Sequence, residues 1–81
     1  MKISIFTIKK TIYEGEGSRV TLPTAVGEVT VLDHHEPYVT ILASGKLRYE
    51  VSGQKDEQHL KISGGFLEVR ENNEVRILAD D

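Results

Sequence analysis

The sequence predicts an all-β protein, a two-layer antiparallel β-sandwich of about nine to ten short strands. Three observations predict it. Val, Ile and Thr together supply 21 of the 81 residues, while Ala supplies only 3; branching at Cβ stiffens χ1, crowds a helix and suits a pleated strand. Apolar and polar residues alternate with period two in run after run, which turns one face of each strand inward. Turn-forming clusters interrupt these runs at short intervals, the rhythm of a sandwich or small barrel. No stretch long enough for a helix carries helical periodicity.

The elements follow in order. Ile3-Ser4-Ile5 is the first alternating run, and Glu14-Gly15-Glu16-Gly17 reads as the first break. Val20-Thr21-Leu22 alternates as far as the turn Pro23-Thr24-Ala25-Val26-Gly27, and Val29-Thr30-Val31 alternates as far as Asp33-His34-His35-Glu36-Pro37. Ala43-Ser44-Gly45-Lys46 and Ser52-Gly53-Gln54-Lys55-Asp56 are the next breaks. Leu60-Lys61-Ile62 and Leu67-Glu68-Val69 flank Ser63-Gly64-Gly65-Phe66, where two glycines allow a bulge or a close backbone approach before the strand at Phe66. Glu71-Asn72-Asn73 turns the chain into Val75-Arg76-Ile77, and Asp80-Asp81 follow that last strand. Gly and Asn tolerate positive φ and Pro pre-sets φ, so these are conformational breaks and not only polar ones.

Length and composition exclude several function classes. With 81 residues the chain fits a single domain, 1–81. A domain this small buries only roughly 60% of its unfolded surface, so a partner surface would help it. There is no Cys, hence no disulfide framework, thiolate metal site or cysteine nucleophile. Apolar runs are a few residues long, far short of the roughly 20 that span a bilayer, so no direct membrane insertion is expected; the N-terminal residues carry no signal-peptide pattern. Net charge is −3 and Lys9-Lys10 is the one adjacent basic pair, so no basic stripe offers itself to phosphates and no nucleic acid is expected as a partner. Five aromatics and no Trp make a poor stacking platform.

Chemistry-bearing residues are sparse. His34-His35, between Asp33 and Glu36, resembles a metal cluster, but neighbouring residues of extended chain point to opposite sides and no further ligands have telling spacing. A polar loop with one structural histidine is the simpler reading, and His59 reads as solvent-facing. Ser63 lacks the Gly-x-Ser-x-Gly elbow. Gly15, Gly17 and Gly27 are too dispersed to cradle phosphate. The residues themselves therefore indicate no catalytic residue, no metal and no cofactor.

Residues 20–37, Val-Thr-Leu-Pro-Thr-Ala-Val-Gly-Glu-Val-Thr-Val-Leu-Asp-His-His-Glu-Pro, resemble the signature of the epsilon chain of F-type ATP synthases through Leu22, Pro23, Gly27, Val31, Leu32, His35 and Pro37. Gly45-x-Leu47-Arg48, Ser63-Gly64-Gly65-Phe66-Leu67-Glu68-Val69 and Val75-x-Ile77-Leu78-Ala79-Asp80 follow in family order, and the opening strand and Tyr13-x-Gly15 also fit, so the resemblance covers essentially the whole chain. Thr24, Thr30, Asp33 and Glu36 depart from the family pattern. A β-branched Thr disfavours positive φ, so Thr24 and Thr30 must hold ordinary backbone or be strained.

The resemblance implies a non-catalytic rotor subunit of the central stalk, a stiff part that transmits rotation of the membrane ring to the gamma chain during proton-driven ATP synthesis. It implies a ring-facing end bearing Glu28 and His35, with Glu28 paired to an Arg of the ring loop. It implies a gamma-facing side around Thr40 and the first strand near Thr7; Tyr38 and Phe66 are the candidate aromatic anchors there, because buried aromatics dominate interface energetics. The expected partners are the gamma chain and the c chains of the ring, the isolated chain is expected to be a monomer, and the expected location is the cytoplasmic face of a bacterial inner membrane. The family usually continues into a two-helix domain that restrains hydrolysis; a natural short form lacking it is the expectation. The alternative is a free-standing sandwich that binds a protein or carbohydrate, which would need a groove lined by exposed aromatics.

Overall fold

A computed structural model describes residues 1–80; Asp81 lies outside the described residues. Among them there are eight strands and no helix: β1 (Lys2–Phe6), β2 (Thr11–Thr24), β3 (Gly27–Leu32), β4 (Tyr38–Leu42), β5 (Gly45–Val51), β6 (Glu57–Ile62), β7 (Gly64–Arg70) and β8 (Glu74–Asp80). Pairing arranges them in two layers. One runs β3-β2-β5-β6, and the other runs β2-β1-β8-β7-β4. Strand β2 belongs to both: its first half pairs with β1 and its second half lies between β3 and β5.

This corrects the expected count of nine to ten strands. The Glu14–Gly17 cluster is not a break; it lies inside the 14-residue β2, where the strand passes from one layer to the other. Gly17 makes that passage possible. A Cβ there would lie 2.2 Å from Ile3 Cδ1 and 2.7 Å from the Glu50 carbonyl, and the β2–β5 register shifts at the same point. The second correction concerns direction. β1 and β8 pair in parallel, Lys2 opposite Glu74 through Phe6 opposite Leu78, while every other pair is antiparallel. The first and last strands are joined by no hairpin, so nothing local forces them to run antiparallel.

The core lies between the layers. Ile3, Ile5, Leu22, Leu47, Leu67 and Ile77 are fully buried, as period-two alternation requires. The glycine pair acts as expected: a Cβ on Gly65 would lie 2.3 Å from the Leu78 carbonyl, so β7 and β8 meet there too closely for any side chain. The non-glycine residues with positive φ are His34 and Asn73, so Thr24 and Thr30 hold ordinary backbone.

Candidate docking surfaces

Strand β3 is one of the two free edges of its layer, pairing with β2 alone, as β6 pairs with β5 alone at the other edge. The two residues expected to share a ring-facing end flank β3 at opposite ends. Glu28 lies next to the β2–β3 turn. There the Thr24 hydroxyl accepts the Val26 N–H at 3.3 Å and donates to the Gly27 carbonyl at 2.6 Å, fixing a two-residue loop of Ala25 and Val26. His35 lies beyond the other end of β3, in the loop to β4. Its Nδ1 is 2.7 Å from the Glu36 carbonyl, and its ring centroid is 6.1 Å from that of Tyr38.

Neither flank is loose. Glu28 is exposed but already paired: Arg48 on β5 donates from Nη2 to Glu28 Oε1 at 3.0 Å, reaching across β2. Sequence reasoning missed this partner, because Arg48 and Glu28 meet only through the pairing of β3 and β5 on either side of β2. The loop carrying His35 is clamped at its start. The Met1 ammonium donates to Asp33 Oδ1 at 2.7 Å and to the Gly17 carbonyl at 3.1 Å, and the His34 N–H donates to Asn73 Oδ1 at 2.7 Å. The hydrogen bond from the ammonium holds the Asp33 carboxyl below its ordinary pKa, and the same bond raises that of the ammonium.

Thr7, Tyr38 and Thr40, the residues expected on a gamma-facing side, turn inward or are half-buried. Thr7 is buried and closes the β1–β2 loop: its backbone N–H donates to the Lys10 carbonyl at 2.8 Å, and its hydroxyl accepts from the N–H groups of Lys9 and Lys10. Tyr38 and Thr40 lie opposite Val69 and Leu67, both core residues, so all four share the inner face. The outward residues of β4 are Val39 and Ile41, 58% and 69% exposed. Phe66 is exposed at 45% and belongs to the outer face as well.

The match to known proteins fits this architecture. Residues 1–81 match the family described as "ATP synthase, Delta/Epsilon chain, beta-sandwich domain". The chain belongs to that family. Among relatives of this epsilon-type domain, the ATP synthase epsilon chain of Neisseria meningitidis is 38% identical over 80 residues, which is 99% of this chain and 56% of the relative. That of Dehalococcoides mccartyi is also 38% identical, over 99% of this chain and 55% of the relative. The chain thus spans little more than half the length of these relatives. A chain in the Euglena gracilis mitochondrial ATP synthase (OSCP/F1/c-ring) superposes with a TM-score of 0.89 at 32% identity, over 98% of this chain and 49% of that one. A chain in the Tetrahymena thermophila mitochondrial ATP synthase central stalk and c-ring structure superposes at 0.88 with 20% identity, over 100% and 63%, and shares the fold.

The sequence carries one further signal of the outer face. Ile5-Phe6, Ile41-Leu42, Phe66-Leu67 and Ile77-Leu78 are adjacent apolar pairs within strands. Under period-two alternation one member of each must face out. In the fold Ile5, Leu42, Leu67 and Ile77 are buried and Phe6, Ile41, Phe66 and Leu78 look outward.

Proposed function

We propose that this chain, as one domain over residues 1–81, is a non-catalytic part of the central stalk of an F-type ATP synthase, held between the c chains of the membrane ring and the gamma chain. It would work as a stiff spacer that transmits ring rotation to gamma, peripheral to the membrane on its cytoplasmic face. The observation that carries the reading is the family match along the entire sandwich, together with 32% identity to a chain in an ATP synthase structure. The physics agrees: two hydrogen-bonded layers packed at the density of a protein interior deform little under load, which a coupling part requires and a catalyst does not.

The ring contact would run along β3 and its flanks, from Glu28 to His35, because Glu28 lies at the start of that strand and His35 in the loop beyond its end. A ring arginine approaching Glu28 would have to compete with Arg48 for the carboxylate. Such an exposed pair contributes about 0.2–1 kcal/mol, enough for register but not for affinity by itself. Thr7, Tyr38 and Thr40 would serve the gamma side from behind, by fixing the strands that present their outward neighbours.

The test is capture of solubilised ring and of gamma by the purified chain. Both are expected to bind. Glu28→Gln combined with His35→Ala should weaken ring capture several-fold and leave gamma capture unchanged. Failure to capture either partner would overturn the rotor reading; unaltered ring capture by the double variant would overturn the β3 assignment.

A further inference from the structure

Glu28 on β3 and Arg48 on β5 are separated by β2, yet the guanidinium donates from Nη2 to Glu28 Oε1 at 3.0 Å. Arg48 makes this bond at a cost. Its Nε is buried and finds no acceptor, and a buried donor left unsatisfied costs at least as much as one ordinary hydrogen bond returns. The carboxylate it reaches stays 57% exposed, so a cation arriving from solvent can approach the same group.

The surroundings of Arg48 are basic. His59 on β6 lies opposite Arg48, and Lys61 on β6 lies opposite Lys46, which is two residues from Arg48 on the same face of β5. Among the described residues no carboxylate lies within ion-pair distance of Lys46 or Lys61. Glu50, two residues from Arg48 in the other direction, is taken by Arg19. Glu28 is therefore the counter-charge for Arg48. A cation that takes Glu28 leaves Arg48 beside Lys46, Lys61 and His59 without one, and like charges set side by side on a sheet repel. The exchange is opposed from within the chain.

We propose that Arg48 is an internal competitor at Glu28, a gate that sets how readily the β3 edge accepts a cationic side chain of its neighbour. The gate rests on the ring reading above and deepens it by adding the residue that regulates the contact. In the closed state Arg48 holds the carboxylate. In the open state an incoming Lys or Arg holds it, and the guanidinium turns to solvent. The apparent affinity falls in proportion to the fraction of molecules in which Glu28 is free. An exposed pair of this kind holds its carboxylate only weakly, so the gate changes affinity about two- to fivefold and leaves the contact easily exchanged.

The experiment titrates solubilised ring with the purified chain and its variants at about 50 mM salt, where screening of exposed charges is modest. Arg48→Gln removes the competitor and should bind the ring about two- to fivefold more tightly than wild type. Arg48→Lys keeps the charge without the planar fork and should fall between the two. Glu28→Gln should bind more weakly than wild type, and adding Arg48→Gln to it should change nothing further, because the gate then has nothing to hold. Lys55→Gln, in the exposed loop between β5 and β6, makes the same change of charge away from the pair and should match wild type. Without ring, the Arg48 Nε–H resonance should exchange with water more slowly in wild type than in Glu28→Gln. All variants replace exposed or half-exposed side chains, and a circular dichroism melt shows that each is folded. If Arg48→Gln binds no more tightly than wild type, if Lys55→Gln gains as much, or if the gain persists in the Glu28→Gln background, the gate is overturned. If Glu28→Gln binds as tightly as wild type, Glu28 is not the contact and the gate falls while the rotor reading stands. If wild type captures no ring, the rotor reading fails and the gate with it.

Discussion

Single residues show most plainly where shape rules over type. Gly65 has φ of 146°, and a Cβ there would meet the Leu78 carbonyl. Gly27 has φ of 118°, but nothing lies within 4 Å of its would-be Cβ. Gly65→Ala should therefore cost about 2–4 kcal/mol, backbone strain plus a steric clash, whereas Gly27→Ala should cost about 1–2 kcal/mol from strain alone. Urea midpoints of the two variants check the order. The clamp between Met1 and Asp33 sets a pH window. The Asp33 carboxyl is held below its ordinary 3.8, so its contribution is present above that value and is lost as pH falls through the folded-state value. The ammonium is held above its ordinary 8.0, so its contribution is complete below that value and is lost as pH rises through the folded-state value. The loop that bears His35 should be best ordered between roughly pH 4 and pH 8. The His34 and Asn73 amide resonances followed across pH report it; Asp33→Asn should remove the acid limb.

Among the elements, β1 and β2 carry the architecture. β1 lies between β2 and β8 and buries Ile3 and Ile5 completely. Deleting residues 1–6 would strip a central strand from one layer and leave β8 with a raw edge, so the shortened chain should show no cooperative melt by circular dichroism. Leu22 lies in the half of β2 that is shared with β3, fully buried, and Leu22→Ala should destabilise by about 2–5 kcal/mol through lost burial and the cavity left behind. The hairpins were readable from sequence because their turns are local chemistry. Thr24 to Gly27 closes on a threonine hydroxyl, and Asn73 takes the left-handed conformation, with φ of 59°, that asparagine tolerates. The Gly15 and Gly17 cluster misled for a related reason. Glycine signals that a side chain is absent, and that absence serves a turn or a crossing between layers equally well.

For the whole molecule, the Cα radius of gyration is 11.3 Å, close to the roughly 12 Å expected of a compact domain this long. One core serves both layers, and β2 belongs to each, so neither layer can open without disturbing the other. Unfolding should accordingly be a single transition, with tyrosine fluorescence and far-ultraviolet circular dichroism giving the same midpoint. Tyr13 and Tyr49 make a useful probe, because their rings pack 5.2 Å apart from the two halves of the sandwich. The surfaces are divided in the same way: a charged outer face, an apolar outer face and the edge strand β3 point in different directions, as the proposed role between two neighbours requires.

The sequence by itself determined the fold class, most turn positions, the family and the absence of any helical segment among the described residues, because period-two alternation and turn chemistry are local properties of the chain. It did not determine that Glu28 is bound to Arg48, that Met1 clamps Asp33, that Glu28 and the loop of His35 lie toward opposite ends of β3, or that four outward apolar residues align across neighbouring strands. Each of these depends on which strands lie side by side and in what register. That is settled when the core closes, by the packing of residues far apart in the chain.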